Sequence, residues 1–133
     1  MTFDPQAIFA NLAEKERIKG HHSPEGRAIR TLSRALSGWA NAALLASDVL
    51  VLCDQSVEDW LKARLKIASW SARDMPELLA LAVERNLMTR LEAVRLQRIH
   101  NMRAGAHEVN EDAAAKDVEN ALEFCIEIVE KHW

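Results

Sequence analysis

Ile29, Leu32, Leu36, Trp39, Ala43, Ala46, Leu50 and Cys53 recur at alternating steps of three and four residues. That rhythm puts all eight side chains along one side of an α-helix, and no β-strand can reproduce it. It predicts one helix over 24–53, opened by Ser23 as N-cap and by Pro24 in the first turn. At about 1.5 Å per residue such a helix is roughly 45 Å long. Ala40, Ala42, Leu45, Val49 and Val51 widen the apolar surface beyond a single seam. A helix that is apolar on more than one side must lie at the centre of a bundle or be covered by another subunit. A homodimer is the simplest cover and is the expected assembly.

The rest of the chain repeats the helical pattern. Asp4 and Pro5 open a segment over 4–19, closed by Gly20. Asp54-Gln55-Ser56 resembles a break, with Ser56 and Asp59 as a capping box for a helix over 57–70. Asp74 and Pro76 open a shorter helix over 76–86. Thr89 and Glu92 form a second capping box, opening 90–103 with Leu91, Val94 and Met102 on its apolar side. Asn110 caps a last helix over 111–132, where Ala115, Val118, Leu122, Cys125 and Val129 again step by three and four. No period-two alternation or hairpin turn intervenes. The expected fold is all-α, an up-and-down antiparallel bundle of four main helices plus short ones. It forms one domain over 1–133, with 1–22 as a peripheral helix and loop.

Composition narrows the class. With 49 % hydrophobic and 28 % charged residues in 133, the chain is rich enough in apolar residues to build one core. No stretch approaches the roughly 20 apolar residues of a membrane helix, and the N-terminus lacks a signal-peptide pattern, so a cytoplasmic protein without a membrane partner is expected. Cys53 and Cys125 fall on apolar stripes and read as reduced core thiols rather than a disulfide. There is no phosphate-binding glycine loop, no nucleophile elbow and no His-Glu-x-x-His, so no cofactor is expected. His21-His22 has no metal-ligand spacing around it and reads as a loop, so no metal is expected either.

The net charge of −3 conceals an asymmetry. From Arg85 to His107 there are five arginines and one acid, and from Glu108 to Trp133 eight acids and two lysines. Salt bridging between neighbouring antiparallel helices accounts for this, and so does an anion site at the basic end. The stretch 98-RIHNMRAGAHEV-109 concentrates the question. His107 follows Arg103 by four residues, which sets a fixed cation beside a titratable imidazole whether or not the helix ends at Gly105. Arginine grips phosphate oxygens with a rigid fork, and histidine moves a proton near neutral pH. The plainer reading is a helix end, with His107 capping carbonyls and Arg103 paired to Glu108 or Glu111. Arg95, Arg98 and Asn101 extend the polar surface towards Arg103, or form a solvated helix face. His100, one turn before Arg103, is expected to face elsewhere if Gly105 ends the helix.

The helix order over 24–133, together with 101-NMRAGAH-107, resembles the HEPN superfamily, small helical bundles of prokaryotic toxin and defence systems. The family's hallmark is an arginine, usually followed by a polar residue, and then a histidine after four to six positions. Here Arg103 matches the arginine and His107 the histidine, with three residues between them, Ala104 following, and Asn101 preceding. The resemblance implies an RNA-associated protein, a metal-independent endoribonuclease with Arg103 and His107 as catalytic residues. Arg95, Arg98 and Asn101 would contact nucleic acid. It implies a homodimer whose two motifs share a cleft, and a minimal nucleotidyltransferase antitoxin as partner. The competing expectation is a non-catalytic helical dimer, a protein-interaction or nucleotide-binding module, whose motif merely ends a helix. Trp39, Trp60 and Trp70 are candidate interface anchors, or ordinary core tryptophans.

Overall fold

The computed structural model describes residues 4–105 and 111–132. Six helices follow one another: α1 (Pro5–Lys19), α2 (Pro24–Ala40), α3 (Ala46–Leu65), α4 (Met75–Glu84), α5 (Arg90–Gly105) and α6 (Glu111–Lys131). Among the described residues there is no strand. The fold is an all-α bundle in which α3 is central, packing against α2, α4, α5 and α6, while α1 lies along α2.

The helix starts follow local chemistry. The side chains of Asp4, Ser23 and Asp74 accept from backbone N–H groups two or three residues on, each just ahead of a first-turn proline. The Thr89–Glu92 capping box closes in both directions, Glu92 N–H to Thr89 Oγ1 at 3.1 Å and Thr89 N–H to Glu92 Oε1 at 2.9 Å. Asn110 lies outside the described residues.

Two expectations are corrected. The helix predicted over 24–53 is broken: α2 ends at Ala40 and α3 begins at Ala46. Ala42 takes φ 53°, and the N–H groups of Ala43 and Leu44 return to the Gly38 carbonyl at 2.8 and 3.2 Å. This is a left-handed helix stop built on alanine. Leu44 folds back over Gly38 so closely that a Cβ there would meet Leu44 Cδ1 at 2.2 Å. Conversely, the predicted break at 54–56 does not exist, because α3 runs through it to Leu65. Ser56 caps nothing; its buried hydroxyl donates 2.8 Å to the Ala28 carbonyl of α2. The helix stops instead at Lys66, at φ 60°, where Ile67 N–H reaches the Lys62 carbonyl at 2.8 Å.

These shifts change how the apolar seam is buried. Folding back at 41–45 lays Ile29, Leu32 and Leu36 of α2 against α3, whose Val49, Cys53 and Val57 are equally buried. The two halves of the predicted long helix cover each other along this seam, whereas of the residues that widen it only Val49 is buried, Val51 is half-buried, and Ala40, Ala42 and Leu45 are exposed. Trp60 sits in the core, Trp39 is half-buried with its indole N–H 3.4 Å from Glu119, and Trp70 is exposed. Cys53 and Cys125 are free and buried, as expected. Among the described residues no helix is long and apolar enough to cross a membrane.

The faces of α5 are also redistributed. Ala93, Leu96 and Ile99 are its buried residues, whereas Leu91 and Val94, expected on the apolar side, are exposed. Glu92 supplies the reason. Its carboxylate is drawn inward, taking Lys131 Nζ at 3.0 Å and His132 Nε2 at 3.2 Å, and this turns Leu91 outward. This pairs the single acid of the basic segment with Lys131 and His132 of the acidic one, the reverse of the expected arginine-to-acid pairing.

Candidate functional site

The Arg103 end of α5 packs against the middle of α3. Leu50, Asp54, Val57 and Leu61 form one inward stripe on α3, and Asp54 is the charged member of it, 2 % exposed. A carboxylate at such depth needs ionic or hydrogen-bonding partners, because losing its water costs several kcal/mol (~2–7 for an uncompensated polar group, more for a charge). The partners come from α5. His100 Nδ1 lies 2.8 Å from Asp54 Oδ1, and Arg103 Nη1 donates 2.8 Å to Asp54 Oδ2. Each carboxylate oxygen is therefore assigned to a different residue, one turn apart on the same helix.

The arrangement orients both side chains. An ionised carboxylate only accepts, so the shared proton of the His100 contact sits on Nδ1. Nε2 is then left as the acceptor, the same second-partner logic that aims an imidazole in hydrolytic triads. The His100 side chain is 35 % exposed and that of Arg103 41 %, so the outer edges of both rest at the surface while their inner edges are pinned. The chemistry available is a positioned proton acceptor beside a partly exposed guanidinium.

Asp54 was missed as a site residue because Asp54-Gln55-Ser56 reads as a helix break. The signal was nonetheless present: on a helix, Asp54 falls in register with Leu50, Val57 and Leu61, and an acid inside an apolar stripe must be paired. His100 is corrected as well. Expected to face away from Arg103, it converges with Arg103 on the same carboxylate.

The other predicted residues separate. Arg95 stacks over the Phe124 ring of α6, 3.8 Å from guanidinium carbon to centroid, a cation–π contact between helices. Arg98 is exposed, as is Asn101, whose Oδ1 accepts from Gln97 Nε2 at 3.0 Å. At about 100° per residue, Arg98 stands roughly 140° around the helix from Arg103, so the basic stripe wraps α5 instead of running straight to Arg103. His107 and Glu108 lie outside the described residues. Among the described residues, no three His, Cys, Asp or Glu side chains gather as metal ligands.

Below the site, α3 and α6 bring Cys53 and Cys125 together. Hydrogen bonding to Cys53, burial, and the negative charge of nearby Asp54 push the Cys125 thiol well above its ordinary range. It is a packed neutral thiol, not a nucleophile.

Comparison with models of known protein families, with curated proteins and with solved structures found no significant match.

Proposed function

We propose that this chain is a HEPN-like, RNA-associated protein that cleaves RNA without a metal, from the edge of the bundle where α5 meets α3. The observation that carries the reading is the convergence of His100 and Arg103 on buried Asp54, with their outer edges exposed. Arg103 grips the scissile phosphate and stabilises its growing charge. An imidazole accepts the proton of the ribose 2′-hydroxyl as that oxygen bonds to phosphorus. The bond from phosphorus to the 5′-oxygen breaks, that oxygen takes up a proton, and a 2′,3′-cyclic phosphate remains. His100 supplies one imidazole, held by Asp54, and His107 supplies the second, four residues beyond Arg103 in the chain. In this reading the partners are RNA, a second copy of the chain, and a minimal nucleotidyltransferase antitoxin, and the setting is cytoplasmic.

The test is incubation of the full chain with RNA in the presence of chelator, followed by analysis of the new ends. Cyclic phosphate ends, abolished in Arg103→Ala and absent from a substrate lacking the 2′-hydroxyl, are the expected result. No cleavage, or cleavage only with added metal, overturns it.

A second reading rests on the same ion pair. Asp54 already neutralises part of Arg103, and the cluster joins α3 to α5, as a structural lock in a non-catalytic interaction module would. Under that reading Arg103→Ala lowers stability and changes no activity on RNA.

A further inference from the structure

The stretch from Trp60 to Arg73 carries four cations, Lys62, Arg64, Lys66 and Arg73, and no acid. Near its end stands Trp70, 87 % exposed, in the connection between α3 and α4. A single exposed aromatic is ordinary on a protein surface. What sets Trp70 apart is what holds it.

Lys62 is a buried lysine, 6 % exposed. Its ammonium donates 3.2 Å to the Ser69 carbonyl and 3.1 Å to the Ser71 carbonyl, the two residues that flank Trp70. Glu58 Oε1 stands 3.2 Å from the same nitrogen. Three donors thus meet three acceptors. An ammonium drawn out of water is costly unless its donors are used, so these carbonyls are held firmly. The Ser71 N–H returns to the Ala68 carbonyl at 3.0 Å, closing a turn with Ser69 and Trp70 at its tip. The indole is displayed from a fixed backbone, and a ligand has little left to order.

The charge around the turn is one-sided. Glu58 is committed to Lys62, and Asp74 to the Glu77 N–H at the start of α4. Arg64 lies over the Trp60 ring, 5.7 Å from its centroid. Lys66 and Arg73, before and after the turn, are exposed and, among the described residues, pair with no carboxylate. Ala68, Ser69, Ser71 and Ala72 are small. The ring therefore stands without the apolar neighbours that the core of a protein interface or a membrane-inserted face brings. A lone flat ring between cations suits a flat ligand with negative charge, and a nucleotide of a single strand is both.

We propose that Trp70 is a stacking platform for one base of a single-stranded nucleic acid, with Lys66 and Arg73 against its phosphates. From Asp54 to Leu65, α3 runs about 17 Å at 1.5 Å per residue, and the turn lies beyond that end. It is a contact separate from the α3–α5 cluster. The inference rests on the RNA-associated reading for the identity of the strand, and on the turn itself for the stacking.

A labelled oligodeoxyadenylate is the probe. It lacks the 2′-hydroxyl and is not cut, so binding is read whether or not the chain cleaves RNA. Fluorescence anisotropy with the full chain should saturate, and the unlabelled strand should quench tryptophan emission. Trp70→Ala should weaken binding about fivefold to a hundredfold, the usual loss of one base–aromatic stack. Trp70→Phe should keep most of the affinity and lose most of the quenching, which assigns the signal to this ring. Lys66→Gln and Arg73→Gln should each lower the slope of log affinity against log salt by about 0.7. Trp70 lies outside the core, so its variants should melt with the unaltered chain. Stacking without cleavage supports this proposal and overturns only the catalytic reading. No saturable binding, or an affinity unchanged in Trp70→Ala, overturns the proposal even if the chain cuts RNA. Binding to anionic phospholipid vesicles in place of the oligonucleotide overturns it too, and puts a membrane surface at the turn.

Discussion

His100 Nδ1 and Asp54 Oδ1 stand 2.8 Å apart although 46 residues separate them in the chain. The same carboxylate takes Arg103 at 2.8 Å, so a single buried charge fixes two α5 side chains against α3. Removing it leaves both donors without their inward partner. Asp54→Asn should therefore destabilise the fold by about 1–3 kcal/mol, the lower part of the buried-ion-pair range because both partners are partly solvated. A urea unfolding midpoint that falls with an unchanged slope is the expected readout. A midpoint equal to that of the unaltered chain would show that the cluster holds nothing together.

The variants of α5 separate chemistry from structure. If the chain cuts RNA as proposed, His100→Ala should lower the rate by about a hundredfold to ten-thousandfold, the usual contribution of a positioned proton acceptor. Arg103→Lys should also impair cleavage, since lysine keeps the charge and loses the fork. Arg98→Ala, altering an exposed residue well around the helix, should act on RNA affinity alone. Single-turnover cleavage with saturating chain reads these apart, and a wild-type rate in His100→Ala excludes that imidazole.

Acid should unfold this protein partly through Glu92. Burial works against its charge, but the Thr89 N–H, Lys131 and His132 outweigh it and hold the carboxyl at about 2, down from the ordinary 4.5. A depressed acid contributes its full stability above the unfolded value and loses it as pH falls from about 4.5 towards 2. With Lys131 more than half exposed, the contribution is discounted to on the order of 2 kcal/mol. Glu92→Gln should flatten the dependence of stability on pH over that window. An unchanged acid limb would remove Glu92 from the account.

The stop after α2 stores strain at Ala42, whose φ of 53° favours glycine. Ala42→Gly should stabilise by up to about 1 kcal/mol, the relief offset in part by the freer unfolded chain. Gly38→Ala should do the opposite, costing about 1–3 kcal/mol as Leu44 is pushed away. Gly26→Ala should be worse still, because its Cβ would meet the rigid Gly20 carbonyl oxygen at 2.0 Å. Thermal midpoints of the three variants should rank in that order, and a Gly38→Ala chain as stable as Ala42→Gly would contradict this geometry.

The buried thiols should be silent until the fold opens. Cys53 and Cys125 are both fully enclosed, and the Cys125 thiol is held neutral. A chromogenic disulfide reagent at neutral pH should react with neither in the native chain and with both in denaturant. Rapid reaction of the native chain would place a thiol at the surface.

What the amino-acid sequence determined by itself is whatever depends on neighbours within a turn or two. The three-four spacing of Val118, Leu122, Cys125 and Val129, the caps at Asp4, Ser23 and Asp74, and the Thr89–Glu92 box declare helices locally, and those helices form where they are declared. Tertiary structure decided the rest. Polar Asp54-Gln55-Ser56 looks like a break until Ala28, His100 and Arg103 arrive to satisfy Asp54 and Ser56, after which helix is the better state. Ala40 to Ala46 looks like helix until the two apolar halves on either side gain more by packing on each other than by staying collinear. That gain is large enough to hold an alanine in a left-handed conformation, which no local preference of alanine would predict. The candidate site has the same origin: Asp54, His100 and Arg103 become one group only when α5 closes on α3.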